Sequence, residues 1–133
     1  MLKVLIIDDD EIVLLVERKI LQRCGVDHET ITFKNGDAAL EYIKGQEVEQ
    51  KFLILLDINM PVMNGWDFLR KMECLGRNDN IFVIMVTSSI DRYDKQVARE
   101  YKSVIGFIEK PITAKDCDQI KNLSEISSFF KML

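Results

Sequence analysis

The sequence predicts a doubly wound α/β domain built on a parallel five-stranded sheet. Near-continuous apolar runs recur along the chain, and each ends in polar or turn-forming residues. That is the pattern of strands buried on both faces. Between these runs, apolar residues recur at three- and four-residue steps, as in helices that bury one side. The connections are short throughout, and strict alternation of the two patterns favours crossovers within one sheet.

The first run spans 1–7 and stops at Asp8-Asp9-Asp10-Glu11. Ile12, Val13, Val16, Ile20 and Cys24 follow at helical spacing, and Gly25 closes that helix. Residues 30–33 read as a short second strand. Asn35 suits the N-cap of a helix carrying Ala38, Ala39, Tyr42 and Ile43, which ends at Gly45. The third run, 52–56, leads straight to Asp57, after which Pro61 and Asn64-Gly65 turn the chain. Asn64 suits the cap of a helix facing Trp66, Leu69, Met72 and Leu75 inward, and 76–80 is a turn by composition. Residues 81–86 form the fourth run, ending in Thr87-Ser88-Ser89. Ile90, Tyr93, Val97 and Tyr101 mark the next helix. The fifth run, 104–108, ends in Glu109-Lys110-Pro111. Thr113 with Asp116 three residues on resembles a capping box, and it opens a last helix bearing Ile120, Leu123, Ile126 and Phe130. Right-handed crossovers leave few topologies for five such units, and the flavodoxin-like strand order 2-1-3-4-5 is the natural one.

Composition narrows the functional classes. At 133 residues, 47% apolar and 30% charged, the chain reads as one ordinary globular domain over 1–133 with no output domain. A net charge of −4 gives no electrostatic reason to expect nucleic acid as a partner. No run is long enough to span a membrane, and the first apolar run is cut too early by acids for a signal peptide, so a cytoplasmic location is expected. Cys24, Cys74 and Cys117 are odd in number, far apart and without C-x-x-C spacing, which points to buried, reduced thiols. His28 stands alone in a charged stretch and receives no catalytic role. The glycines fit neither nucleotide-binding fingerprint.

In a parallel sheet all strand C-termini point the same way, so Asp8, Asp9, Asp10, Asp57, Thr87, Ser88, Ser89 and Lys110 converge on one edge. Polar residues at strand ends are expected simply because those ends meet water. Several carboxylates, hydroxyls and one ammonium at four adjacent ends exceed that need. Clustered carboxylates repel, and oxygen-only ligands favour Mg²⁺, which commonly also binds phosphate. Asp57 could then attack phosphorus and form an acyl phosphate. Lys110 would pair with the phosphoryl oxygens and Thr87 would donate a hydrogen bond to one.

The chain resembles a response-regulator receiver domain of two-component signalling, of the stand-alone single-domain type. The resemblance rests on 4–10 (Val-Leu-Ile-Ile-Asp-Asp-Asp), 56–65 (Leu-Asp-Ile-Asn-Met-Pro-Val-Met-Asn-Gly), 86–89 and 107–111, in the right order over essentially the whole length. It implies that Asp57 takes a phosphoryl group from a histidine kinase or histidine phosphotransfer protein. It implies that Asp9, Asp57 and the Asn59 backbone carbonyl bind Mg²⁺ directly, with Asp8 acting through water. Lys110 would bind the phosphoryl group, and its bond to Pro111 would be cis. Thr87 and Phe107 would form the switch pair, reshaping the surface of the fourth helix, fifth strand and fifth helix for a downstream protein. Ile90, Tyr93, Val97 and Tyr101 would lie in or near that surface. Asn59 and Ser89 would tune dephosphorylation. Weak dimerisation on phosphorylation is among the implied outcomes, and the domain would be no enzyme beyond self-phosphorylation and slow autodephosphorylation.

Two other readings remain at this point. A haloacid-dehalogenase-type phosphatase also uses an Asp nucleophile, but it needs a second Asp where Asn59 stands. A phosphorylation-independent binding module would keep the fold, yet Asp8, Asp9, Asp57, Thr87 and Lys110 are all present.

Overall fold

A computed structural model describes residues 2–26, 29–88 and 90–130. Among them the element order is β1 (Leu2–Ile7), α1 (Glu11–Arg23), β2 (Thr30–Phe33), α2 (Gly36–Lys44), β3 (Lys51–Asp57), α3 (Gly65–Glu73), β4 (Ile81–Thr87), α4 (Arg92–Ala98), β5 (Val104–Glu109) and α5 (Ala114–Lys121). Short 3₁₀ turns at Asn78–Asn80 and Ser127–Phe130 complete it. All strands are parallel, in the order β2-β1-β3-β4-β5. Fold class and strand order are as the sequence predicts.

Strand alternation divides the core into two layers. Leu5, Ile7, Phe52, Ile54, Leu56, Val83 and Met85 face one side, where Ala39, Ile43, Phe68, Leu69 and Met72 of α2 and α3 cover them. Val4, Ile6, Leu53, Leu55, Ile84 and Val86 face the other, under Leu14 and Leu21 of α1 and Cys117 and Ile120 of α5. The long apolar runs have no polar face because both sides are covered.

Caps set where the helices begin. Asn35 Oδ1 accepts from the Ala38 N–H at 2.9 Å, and Asn64 with Asp67 forms a full capping box. Thr113 and Asp116 form a second capping box. Asp10 caps α1 by accepting from Ile12 N–H, which turns one member of the acidic cluster into a structural residue.

Several expectations fail. The buried face of α1 is Leu14, Glu17 and Leu21, whereas Ile12 (72% exposed) and Val16 (41%) look outward. The last helix ends at Lys121, and Leu123, Ile126 and Phe130 lie beyond it in irregular chain, a turn and a 3₁₀ segment respectively. The buried, reduced thiols are also corrected, because Cys24 and Cys117 are joined sulfur to sulfur and Cys74 is exposed. His28 lies outside the described residues.

Candidate functional site

Sheet register assembles the site. Ile7 of β1 pairs with Leu56 of β3, so the next residues, Asp8 and Asp57, emerge side by side. Asp57 pairs with Val86, which places Thr87 one step further along β4. Thr87 pairs with Glu109, so Lys110 follows at the end of β5. Alternation puts Thr87 and Phe107 on the α3 side, since Phe107 pairs with Met85, two residues before Thr87.

The chain turns away from Asp57 through a close approach of backbones. Gly65 N–H donates to the Ile58 carbonyl at 2.8 Å. A Cβ at Gly65 would meet the Asp57 carbonyl oxygen at 2.7 Å and Ile58 Cα at 3.0 Å, so only glycine lets α3 start this close to the strand end. The Lys110–Pro111 bond is cis. Lys110 is tied to β4 by its own N–H, which donates to the Thr87 carbonyl at 2.7 Å.

Lys110 Nζ donates to Asp8 Oδ2 at 2.7 Å and lies 3.2 Å from Asp57 Oδ1, bridging two carboxylates that are almost wholly buried. Asp8 Oδ1 is engaged by Asp10 N–H at 2.9 Å. Asp8, Asp9 and Asp57 each offer an oxygen within 4.8 Å of the others, and Asp9 is the solvent-exposed member. This all-oxygen, strongly anionic donor set fits Mg²⁺. Asn59 is exposed beside the site, Thr87 is buried, and Phe107 is half-buried against the α3-side core. Ser88 lines a cavity with Lys110, and Ser89 lies outside the described residues. The structure thus brings Asp8, Asp9, Asp57 and Lys110 together and places Thr87 at the neighbouring strand end.

Electrostatics follow from burial. Burial raises the Asp57 pKa and the Asp8 charge adds to it, while Lys110 and the Asn59 backbone N–H counteract both. Burial disfavours the charge on Lys110, yet its hydrogen bond and attraction to Asp8, with Asp57, outweigh that and raise its pKa.

Glu17 was missed. It is 3% exposed on α1, on the same side of the sheet as Asp8 and Asp57, and burial raises its pKa to about 8, with the Asp8 charge assisting. Its spacing with Leu14 and Leu21 marks it only once the inward face of α1 is known. Glu17 shares with Ile12, Val13, Val16, Ser88, Lys110, Pro111 and Ile112 a cavity of about 330 Å³.

On the opposite side of the site, Tyr101 is buried and stacks on Trp66 at 6.1 Å, and Val97 packs half-buried on the core. Tyr93 is 68% exposed. The stripe read as one face of the fourth helix therefore divides: Ile90 and Tyr101 lie outside α4, and Tyr93 and Val97 within it are surface and partly buried.

The model of the response regulator receiver domain matches residues 4–121, and the chain belongs to that family. It is 29% identical over 114 residues to the chemotaxis protein CheY of Pseudomonas aeruginosa, covering 86% of this chain and 88% of that one. It is 32% identical over 110 residues to the autoinducer 1 sensor kinase/phosphatase LuxN of Vibrio campbellii, where it covers 83% of this chain but 12% of that protein. The chain thus spans only a small part of some curated relatives. A two-component response regulator from Cytophaga hutchinsonii superposes with a TM-score of 0.78 at 28% identity, covering 92% of this chain and 95% of that one. Chemotaxis protein CheY4 of Vibrio cholerae has the same fold, with a TM-score of 0.78 at 23% identity over 92% of this chain and 98% of that one. The chain is thus a receiver domain of two-component signalling. Among the described residues, no helix is long and apolar enough to cross a membrane.

Proposed function

We propose that Asp57 is the phosphoacceptor and that a histidine kinase or histidine phosphotransfer protein is its donor. The observation that carries this is Lys110 bridging Asp8 and Asp57 at the strand ends, with Asp9 within the same oxygen cluster. An Asp57 oxygen attacks phosphorus, the P–N bond of the phosphohistidine breaks, and the imidazole leaves with the bonding electron pair. Lys110 moves its charge onto the phosphoryl oxygens, and Thr87 donates a hydrogen bond to one of them. Asp8, Asp9 and Asp57, with the Asn59 backbone carbonyl, are the groups that would hold Mg²⁺. When bound, it neutralises and orients the phosphoryl oxygens. Exposed Ile12 and Val16, which share a cavity with Lys110, offer apolar surface beside the site for the donor protein.

The product carries more charge than a carboxylate and favours the conformation that pairs it best. Thr87 then draws toward the phosphoryl group, Phe107 turns in behind it, and the surface of α4, β5 and α5 is read by a downstream protein. Weak dimerisation on that face belongs to the same reading, as does a cytoplasmic setting. Asn59 and Ser89, both short, let water reach phosphorus, so the phosphorylated half-life is moderate; a value of many hours would overturn this. With Asn59 where the haloacid-dehalogenase-type phosphatase mechanism needs an acid, multiple turnover on phosphate esters is not expected.

Incubation with Mg²⁺ and acetyl phosphate, followed by intact mass, tests the chemistry. One phosphoryl increment is expected, absent in Asp57→Asn. Labelling that persists in that variant, or multiple turnover on a phosphate ester, would overturn the assignment.

A further inference from the structure

We propose that Cys24 and Cys117 are a thiol-oxidation site, a reversible crosslink that ties the end of α1 to α5 and takes a peroxide as oxidant. Cys24 is the C-cap of α1, and Cys117 lies in α5, wholly buried. Their Cα atoms are 6.4 Å apart, within the span a disulfide bridges without backbone movement, and the two are paired as a disulfide. The two backbones are brought together independently of that bond. Lys121 Nζ of α5 donates to the Cys24 carbonyl at 2.6 Å, and both cysteines pack into the same apolar layer.

The position serves both redox states. Cys24 Sγ lies 3.5 Å from the Leu21 carbonyl oxygen, an acceptor for the reduced S–H. Cys24 is also the half-buried member, so an oxidant meets it first. The Cys24 thiolate attacks one peroxide oxygen, the O–O bond breaks, and hydroxide leaves to give a sulfenic acid. The Cys117 sulfur then attacks Cys24 sulfur, water leaves, and the S–S bond forms. In sum, two thiols lose two protons and two electrons while hydrogen peroxide becomes two waters. A dithiol reverses it by exchange. Cys74 is exposed and sits at the end of α3, across the sheet from the pair.

The location gives oxidation a consequence. α5 belongs to the face proposed to rearrange on phosphorylation, and the crosslink pins it to α1. This part rests on that reading, whereas the crosslink itself does not.

The full chain, treated with hydrogen peroxide or left in dithiothreitol, is denatured, alkylated with N-ethylmaleimide and weighed. Reduced protein is expected to take three adducts and oxidised protein one, at Cys74, with dithiothreitol restoring three. Cys24→Ser should leave both remaining thiols alkylated after peroxide, and Cys74→Ser should lose both of its alkylation sites on oxidation. Three adducts after oxidation, or monomer loss to Cys74-linked dimers in their place, would overturn the crosslink. Amide exchange in α5 of unphosphorylated protein is expected to slow on oxidation. Unchanged exchange alongside a formed crosslink would overturn the pinning alone.

Discussion

At Glu17 a carboxyl group lies on a helix stripe shared with Leu14 and Leu21, without a hydrogen bond or ion pair among the described residues. Burial and the Asp8 charge, slightly offset by Lys110, raise its pKa from 4.5 to about 8. The folded state therefore holds a proton that the unfolded chain has released. This contribution to stability is full below 4.5, declines as pH rises, and is gone above about 8. Glu17→Gln keeps the shape without the charge. It is expected to flatten the pH dependence over that window and to be more stable than wild type at alkaline pH by about 2 kcal/mol, measured by urea unfolding at several pH values. Asp57 titrates in the same direction. Its carboxyl is expected to protonate above the ordinary value of 3.8 in an NMR titration, and Lys110→Ala should move that midpoint higher still, since Lys110 holds it down. A midpoint that falls in Lys110→Ala would contradict the ion-pair geometry.

Helices show how far local sequence reaches. Asn35, Asn64 and Thr113 are caps both in the sequence pattern and in space, because a cap is a contact within four residues. The facing of α1 was not legible, since Ile12, Val16 and Ile20 compete with Leu14 and Leu21 at equivalent spacing. Only the direction in which β1 delivers the chain chooses between them. Likewise Leu123, Ile126 and Phe130 continue a helical period past the point where Asn122 ends α5. The apposition of Cys24 and Cys117 is a product of α1–α5 packing and has no signature in spacing. The strand-end constellation was legible because parallel register alone aligns those ends. At the start of α3, Gly65→Ala forces a Cβ against backbone at 2.7 Å. It is expected to destabilise the domain by about 2–3 kcal/mol in urea melts, more than the roughly 1 kcal/mol for removing the adjacent Asn64 cap.

Over the whole molecule, clustering Asp8, Asp9 and Asp57 concentrates like charge that a bound cation would relieve. Mg²⁺ is expected to raise the thermal midpoint in proportion to its occupancy, by a stabilisation of about 2.7 kcal/mol at a hundredfold excess over the dissociation constant. Chelation should reverse the shift, and Asp9→Asn should abolish most of it while leaving the metal-free midpoint nearly unchanged. Equal Mg²⁺ responses in wild type and Asp9→Asn would remove Asp9 from the ligand set.

The Lys110–Asp8 pair joins residues 102 apart in the chain. Such a contact forms only after the intervening loop has been closed, and loop closure of that length is among the slow demands of folding. β1, β3 and β4 can pair while β5 is still unplaced, because β5 touches the sheet along β4 alone. Until it docks, Asp57 has its acidic neighbours but no lysine. On the proposed chemistry, a chain with β5 undocked lacks the cation that meets the phosphoryl group and is expected to label poorly with acetyl phosphate, so labelling would report that the last strand has arrived.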